Sequence, residues 1–371
     1  MTSAPTDLRS DKTVVEVRYP EKTRQLALRG NVAPLSWEAS THPVRVTRDG
    51  AIFELSLPPG EILEFKVLRG DAWSKPRNYT VLAGDHVEVH PYFDHEEGQL
   101  EPDVRALETP ALGRKLEYQV LLPPSYAECS SRRYPVLYAQ DGHVLFEGGG
   151  DDHGPAWGLD RTLAELWDLG AVDEMIVVGI RTGEDRARLL TPMPDPEHGG
   201  GDGPKLLDAM VERLVPAIDA QYRTIREPRG RGVMGASLGG LFSFFAAWSR
   251  SDVFAKAACL SSSFWWADRG MIRAVREGGC PVPRPLLYID SGAAKDELED
   301  DLSLRDGYHH TVAMRDALVG HCYEAGVQLH LLAFPGQSHS SVDWAARVST
   351  PLQLLFPRTE GTAVIAEPVV A

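Results

Sequence analysis

Gly232-Val233-Met234-Gly235-Ala236-Ser237-Leu238-Gly239-Gly240 is the stretch on which the reading of this chain turns. Its centre, Gly235-Ala236-Ser237-Leu238-Gly239, has the spacing G-x-S-x-G. An apolar, strand-like run precedes the serine, and Leu241-Phe242-Ser243-Phe244-Phe245-Ala246-Ala247-Trp248 follows it as a buried helix. A serine carried on so sharp a strand-to-helix turn needs small neighbours. They let the backbone fold tightly and leave the hydroxyl exposed at the helix N-terminus. Gly235 and Gly239 meet that need, and Ser237 is the candidate nucleophile.

A serine hydroxyl is a poor nucleophile without an adjacent base. On this kind of sheet the chain order is serine, acid, histidine. Near the end of the chain, Phe334-Pro335-Gly336-Gln337-Ser338-His339-Ser340 directly follows the apolar run Leu329 to Phe334. His339 therefore sits in the loop after the last strand, where the base belongs. His309-His310, His321 and His330 fall in or beside predicted helices and strands, where packing or solvation accounts for them. The acid is expected after the preceding strand, Pro285 to Asp290, in a loop crowded with carboxylates. Asp296 is the first choice and Glu297 the second, with Asp300 and Asp301 assigned to a solvated acidic loop. The acid's task is to orient the imidazole and stabilise its charged form. No HExxH and no Cys/His grouping with metal spacing occurs, so neither a metal nor a cofactor is expected.

Further out, strand-like runs (Leu116–Leu122, Tyr134–Ala139, Met175–Ile180, Leu286–Ile289, Leu329–Phe334) alternate with amphipathic helix candidates. The clearest helices are Pro204–Tyr222, Leu238–Trp248, Thr311–Ala325 and Val342–Leu355. Buried strands separated by helices predict an α/β domain with a mostly parallel sheet and helices on both faces. The first part of the chain reads differently. Short alternating runs such as Val14-Val15-Glu16-Val17 and Leu63-Glu64-Phe65-Lys66-Val67, punctuated by Asp49-Gly50, Pro58-Pro59-Gly60 and Gly84-Asp85, predict a small all-β sandwich. The expected divisions are a sandwich over 13–95, a linker over 96–104, the α/β domain over 105–357 and a frayed tail over 358–371.

Composition sets the outer limits. The chain has 371 residues and a formal charge of −15, which argues against nucleic acid or an anionic membrane as partner, since both need Lys and Arg to neutralise phosphates. Cys129, Cys259, Cys280 and Cys322 show no CxxC spacing and are expected as reduced, mostly buried thiols. Met1 to Arg18 lacks the apolar segment of a secretory signal, and no apolar run reaches membrane-spanning length. A cytoplasmic enzyme acting on a small molecule is the expectation.

Several motifs in series carry a family resemblance. Tyr134-Pro135-Val136-Leu137-Tyr138, Asp141-Gly142-His143-Val144-Leu145-Phe146, Trp157-Gly158-Leu159-Asp160, the serine elbow, Ser261-Ser262-Ser263-Phe264-Trp265-Trp266 and Gly336-Gln337-Ser338-His339 follow one another. Over roughly 112–357 the chain resembles the esterase family that contains enterochelin esterases, feruloyl esterases and mycolyltransferases. The resemblance implies an α/β-hydrolase fold, with Ser237 as nucleophile and His339 as base. It further implies an oxyanion hole built from the backbone N–H of Leu238 and one from the Asp141-Gly142-His143 turn. His143 stands where relatives often have glutamine. An extra residue separates Gly292 from the first carboxylate, so Asp296, Glu297 and a Ser–His dyad all stay open. Candidate substrate contacts are Trp157, Trp265, Arg181 and Arg186.

The first domain resembles the starch-binding type of carbohydrate-binding module through Leu28-Arg29-Gly30-Asn31, Leu35-Ser36-Trp37, Leu57-Pro58-Pro59-Gly60, Glu64-Phe65-Lys66, Trp73 and Asn78. This implies an immunoglobulin-like sandwich. Either Trp37 and Trp73 offer flat faces to polysaccharide, or Trp37 is core and the domain only shapes the mouth of the site. The leading expectation is a serine carboxylic-ester hydrolase acting through an acyl-enzyme, of the type that opens a siderophore trilactone. The alternative is a carbohydrate-linked ester hydrolase of feruloyl or acetyl type, its first domain holding glucan. A ferric tris-catecholate is anionic, so the first reading needs Arg181, Arg186 and Arg188 to supply local positive charge. Acyl transfer and a non-catalytic scaffold are further readings, and the Gly148 to Gly154 loop is a candidate lid.

Overall fold

The computed structural model describes residues 12–20, 25–75, 77–151, 154–292 and 306–361. The first part forms eight strands: β1 (Thr13–Arg18), β2 (Leu26–Gly30), β3 (Arg45–Val46), β4 (Gly50–Leu55), β5 (Ile62–Arg69), β6 (Ala72–Trp73), β7 (Tyr79–Leu82) and β8 (His86–Val89). They make two four-stranded sheets, β3-β4-β1-β8 and β2-β5-β6, in which β7 pairs with β5 beside β6 on the edge opposite β2. Alternate side chains point inward, as strand geometry requires. Val15, Val17, Phe53 and Val89 from one sheet therefore meet Leu28, Leu63, Phe65 and Val67 from the other in a single core. Trp37 stays outside that core, half-buried, and Trp73 is 42% exposed.

The second part is built on a nine-stranded sheet. Its strands are β9 (Gln99–Leu100), β10 (Arg105–Thr109), β11 (Arg114–Leu122), β12 (Val136–Ala139), β13 (Ile176–Arg181), β14 (Arg231–Ala236), β15 (Lys256–Leu260), β16 (Leu286–Ser291) and β17 (Leu329–Ala333). The order is β10-β11-β13-β12-β14-β15-β16-β17, with β9 on β11. β13, β12, β14, β15, β16 and β17 run parallel in succession, and β9, β10 and β11 add an antiparallel edge. One apolar cluster lies on each face. The first includes Tyr138, Val178, Phe242, Phe254 and Ile289; the second includes Leu163, Trp167, Val177, Met234 and Leu352. A strand covered on both faces has no polar side to show, which is why the β14 run is buried throughout.

Three expectations need correcting. The stretch assigned as linker contributes β9, whose Gln99 and Leu100 pair with Leu122 and Leu121, because Leu100 has an apolar face to pack against. Residues 358–361 do not fray. Arg358 lies over the Tyr79 ring at 5.1 Å, Thr359 Oγ1 donates to Asp173 at 2.7 Å, and Thr80 N–H donates to Gly361 O at 2.6 Å. The four cysteines are not all thiols: Cys280 and Cys322 form a disulfide, while Cys129 and Cys259 are free and buried. The bond joins the chain just past the helix Trp266–Glu277 to the chain just past the helix Tyr308–Val319, two helices that pack together.

Tail and domains meet at a charged cluster. Glu360 reaches Arg132 at 2.5 Å and accepts the His90 N–H at 2.6 Å, and Arg132 also pairs with Glu174. Burial opposes the Glu360 charge, but Arg132 and His90 outweigh it and hold the carboxyl down at about 2. A carboxyl depressed in the folded state adds stability above its unfolded pKa, and that stability is lost as pH falls through the folded pKa. Glu360→Gln is therefore expected to cost about 1–3 kcal/mol at neutral pH. It should also flatten the acid-side loss of stability between roughly pH 4.5 and 2, which urea melts across that range would measure.

Candidate active site

Ser237 stands between β14 and the helix Leu238–Ser249 with φ 58° and ψ −121°. A positive φ is strained for any residue with a side chain and persists only where the surroundings enforce it. The Ser237 N–H donates to Leu260 O at 3.0 Å, and the Ser263 N–H donates to Ser237 O at 3.1 Å. Gly235 is needed for contact as much as for flexibility: a Cβ there would come within 2.5 Å of the Gly239 carbonyl carbon. The helix thus starts immediately at Leu238, whose N–H is one of the donors that no helical carbonyl can reach.

His339 lies between β17 and the helix Ser341–Arg347. Ser340 caps that helix, its Oγ accepting from Asp343 N at 3.2 Å. Ser338 donates to Asp343 Oδ2 from its N–H at 2.8 Å and from its hydroxyl at 2.6 Å. Burial works against the Asp343 charge, but these serine bonds prevail and hold its carboxyl below the usual range. The histidine loop is thereby tied on both sides of the imidazole. The edge of Trp344 packs on the ring at a centroid distance of 4.9 Å.

The carboxylate that His339 meets is Asp306, with Nδ1 to Oδ1 at 2.7 Å. The Asp306 side chain has no exposure to solvent. Asp296 and Glu297, the carboxylates the sequence points to, lie outside the described residues. Asp306 escaped the sequence reading because it comes well beyond Gly292. The available signal was Asp306-Gly307 immediately before the helix Tyr308–Val319, with Gly307 left-handed at the helix start.

Nδ1 is engaged by Asp306, which leaves Nε2 as the free face of the imidazole. Ser237 and His339 together line two adjoining clefts. One, of about 290 Å³, is walled by Asp141, Val144, Trp157, Arg186 and Trp344. The other, of about 530 Å³, is walled by His198, Ser263, Trp265, His309 and His310. The Ser237 hydroxyl is 3.3 Å from that of Ser263. The Ser237 hydroxyl is thus turned to Ser263 and not bonded to His339; catalytic hydrogen bonds are often long or unmade without substrate and tighten when it binds. Trp157 and Trp265, both expected at the substrate, thus fall in different clefts. Trp157 is buried against Trp344, and Trp265 is 39% exposed with its face edged by His198.

The arginines are placed otherwise than the sequence suggests. Arg186 lines the smaller cleft, but its Nε and Nη2 grip both oxygens of Asp141 at 2.7 and 2.8 Å. Asp141 has φ 58° and precedes the short helix Gly142–Leu145, so this fork holds the turn that carries Gly142 and His143. Gly142 is packed so closely that a Cβ would lie 2.5 Å from the Gly179 carbonyl carbon. Arg188 pairs with Asp185 and Asp202. Arg181 donates to Gln119 at 3.3 Å and is not among the residues lining either cleft. The Gly148 to Gly154 stretch forms a two-residue ribbon, Gly150–Asp151 against Gly154–Pro155, with residues 152–153 outside the described set.

An α/β sheet that delivers a strained serine, a buried aspartate and a histidine from the chain after β14, β16 and β17 defines a hydrolase-type fold. The Putative esterase family model matches residues 109–353, and the chain belongs to that family. Among curated relatives, it is 31% identical over 157 residues to the uncharacterized protein YbbA of Bacillus subtilis (strain 168), covering 41% of this chain and 58% of that one. It is 33% identical over 142 residues to an esterase of Mycobacterium tuberculosis (strain H37Rv), covering 36% of this chain and 26% of that one. The chain thus spans less than two thirds of either relative. Among solved structures, an IroE-like serine hydrolase from Shewanella oneidensis superposes with a TM-score of 0.53 at 24% identity, over 70% of this chain and 80% of that one. A ferulic acid esterase gives 0.53 at 17%, over 71% and 99%. A siderophore hydrolase from Aspergillus nidulans gives 0.51 at 17%, over 70% and 94%. These structures share the fold.

Asp306→Asn keeps the shape of the acid but reverses which way the hydrogen bond to Nδ1 runs. It is expected to lower kcat for ester hydrolysis by on the order of 10³-fold or more. Asp296→Asn, assayed beside it, should change kcat little; the opposite ranking would return the acid to the loop before Asp306.

Proposed function

We propose that this chain is a serine carboxylic-ester hydrolase in which Ser237, His339 and Asp306 act as nucleophile, base and acid. The observation that carries the reading is the 2.7 Å bond from His339 to a fully buried Asp306, beside a serine held at positive φ. Asp306 fixes the imidazole with its proton on Nδ1, so Nε2 accepts the Ser237 proton as Oγ attacks the ester carbonyl. The Leu238 N–H and a backbone N–H of the Asp141-Gly142-His143 turn receive the developing oxyanion, each contributing on the order of 3 kcal/mol. His339 then protonates the leaving alcohol and activates water against the acyl-enzyme.

For the substrate, the placement of charge favours an uncharged ester over an anionic ferric trilactone. Arg186 is committed to Asp141 and Arg188 to Asp185 and Asp202. Burial, with Arg269 and His309 beside it, lowers His310 to about 4, so it is neutral at pH 7. The larger cleft therefore offers flat, largely apolar walls at His198, Trp265 and His310. Both a ferulic acid esterase and a siderophore hydrolase share this fold; the pairing of the arginines sides with the former kind of substrate. A second reading, that the first domain holds polysaccharide, is supported by the neighbouring Trp37 and Trp73 rings, 6.3 Å apart, with Arg29 over Trp73 at 5.3 Å. The cytoplasmic placement suggested by the sequence belongs to the same proposal. Among the described residues no helix is long and apolar enough to cross a membrane.

Wild-type protein is expected to hydrolyse p-nitrophenyl butyrate and uncharged feruloyl or acetyl sugars with higher kcat/KM than a ferric trilactone. Ser237→Ala should abolish all of these activities; activity surviving in that variant would overturn the mechanism. Arg186→Gln separates the two substrate readings. As the support of the Asp141 turn, Arg186 is needed for every substrate, so kcat falls for neutral esters too. As an anion receptor, its loss would raise KM for the trilactone alone.

A further inference from the structure

Beneath the acid lies a second pair of buried charges. Arg347, at the end of the helix Ser341–Arg347, and Asp290, on β16, have side chains that are 1% and 0% exposed. Arg347 Nε donates to Asp290 Oδ2 at 3.1 Å and Nη2 to Asp290 Oδ1 at 3.2 Å. The same Nη2 donates to Ser261 Oγ and lies 3.6 Å from Asp306 Oδ2, while Nη1 donates to Gln337 Oε1 at 2.8 Å. Ser261 passes the contact on: its hydroxyl donates to Asp306 Oδ2 at 2.7 Å and its N–H to Asp290 Oδ1 at 3.0 Å. Tyr288 OH completes the Asp290 shell at 2.8 Å. One guanidinium therefore touches the acid, the neighbour of the acid and the loop that carries the base.

We propose that the Arg347–Asp290 pair is the positioning and charge-balancing support of the acid, aiming Asp306 at His339 and setting the pH at which His339 becomes a base. The proposal rests on the triad reading above. The charge count gives it content. With His339 neutral, Asp290, Asp306 and Arg347 together carry one negative charge in excess, and that charge favours the imidazolium. Burial holds the Asp290 carboxyl above its ordinary value, and Arg347, bonded to both of its oxygens, opposes that push without outweighing it. A fixed cation so close to Asp306 would otherwise work against His339⁺. Asp290 cancels it.

Asp290→Asn keeps the shape and one oxygen to accept the Ser261 N–H, turns its amide NH2 towards a Tyr288 hydroxyl that must then accept, and leaves Arg347 uncompensated. The excess negative charge is gone, the imidazolium is disfavoured, and the acid limb of the kcat/KM–pH profile is expected to move down by about one unit. Asp290→Asn combined with Arg347→Met removes both charges, leaves Asp306 alone behind His339, and should return the limb to its wild-type position while kcat stays low. Arg347→Lys, which keeps the charge but loses the fork, should lower kcat with the limb in place. The other titratable groups around His339 are Asp343 in its own loop, Asp141 and Arg186 across one cleft, and His198, His309 and His310 across the other. None of them is altered in these variants.

NMR titration of the His339 imidazole in a Ser237→Ala background reads the same shifts without turnover. A failure of the esterase reading and a failure of this proposal are thus distinguishable. Lower rates with an unmoved limb and an unmoved imidazole titration in the Asp290→Asn protein would reduce the pair to scaffolding. A limb that stayed displaced in the double variant would also overturn the proposal.

Discussion

A carboxylate with no water must find every partner within the protein, and Asp306 is in that position. It accepts from the Ser261 hydroxyl, the Ser291 hydroxyl and the Gly292 N–H as well as facing His339. Those donors come from the end of β15, the end of β16 and the turn beyond it, while His339 comes from the loop after β17. Three adjacent parallel strands therefore have their C-terminal ends fixed against one side chain. Leaving a buried charge unsatisfied costs several kcal/mol, so the loops cannot drift apart without that penalty. The placement of His339 follows from the burial of Asp306.

The serine side of the site obeys a different constraint, one of close approach. Gly235 against Gly239 lets the strand turn into the helix within one residue, and Ser237 takes the strained backbone that results. Across the cleft, Asp141 has a similar left-handed backbone and is clamped by Arg186. Two unfavourable conformations thus line the same cleft. Each is enforced from outside, the first by packing and the second by a charged fork.

This division explains what the sequence disclosed. Ser237 and His339 are legible because each announces itself locally, the serine by its flanking glycines and the histidine by its place after a terminal apolar run. The parallel sheet and the β-rich first part are legible for the same reason, since periodicity is a local property. Asp306 is not, because thirteen residues with several better-looking carboxylates intervene between Gly292 and it, and nothing local marks which acid returns to the sheet. The bond that holds Arg186 was not legible because its partner lies 45 positions away. A run of arginines in a loop looks like a receptor for anions until Asp141, Asp185 and Asp202 are folded against it. The Cys280–Cys322 bond and the docked 358–361 segment depend on similarly distant partners, 42 residues apart in the disulfide and across the domains for Glu360.

Charge is where these observations meet. A chain with a formal charge of −15 repels anions at long range, so an anionic substrate needs cations that are both near the serine and free. Arg186 lines a cleft beside the serine and Arg347 lies behind Asp306, and both are held by carboxylates, Arg186 by Asp141 and Arg347 by Asp290. If the Asp141-Gly142-His143 turn holds an oxyanion, as proposed, releasing Arg186 to a substrate would uncover Asp141 beside it, where a negative charge opposes the reaction. An arginine cannot serve as anchor of the turn and receptor for an anion at once. Arg186 and Arg188 are bound by carboxylates, and on the proposed reading an ester without charge of its own asks nothing further of them.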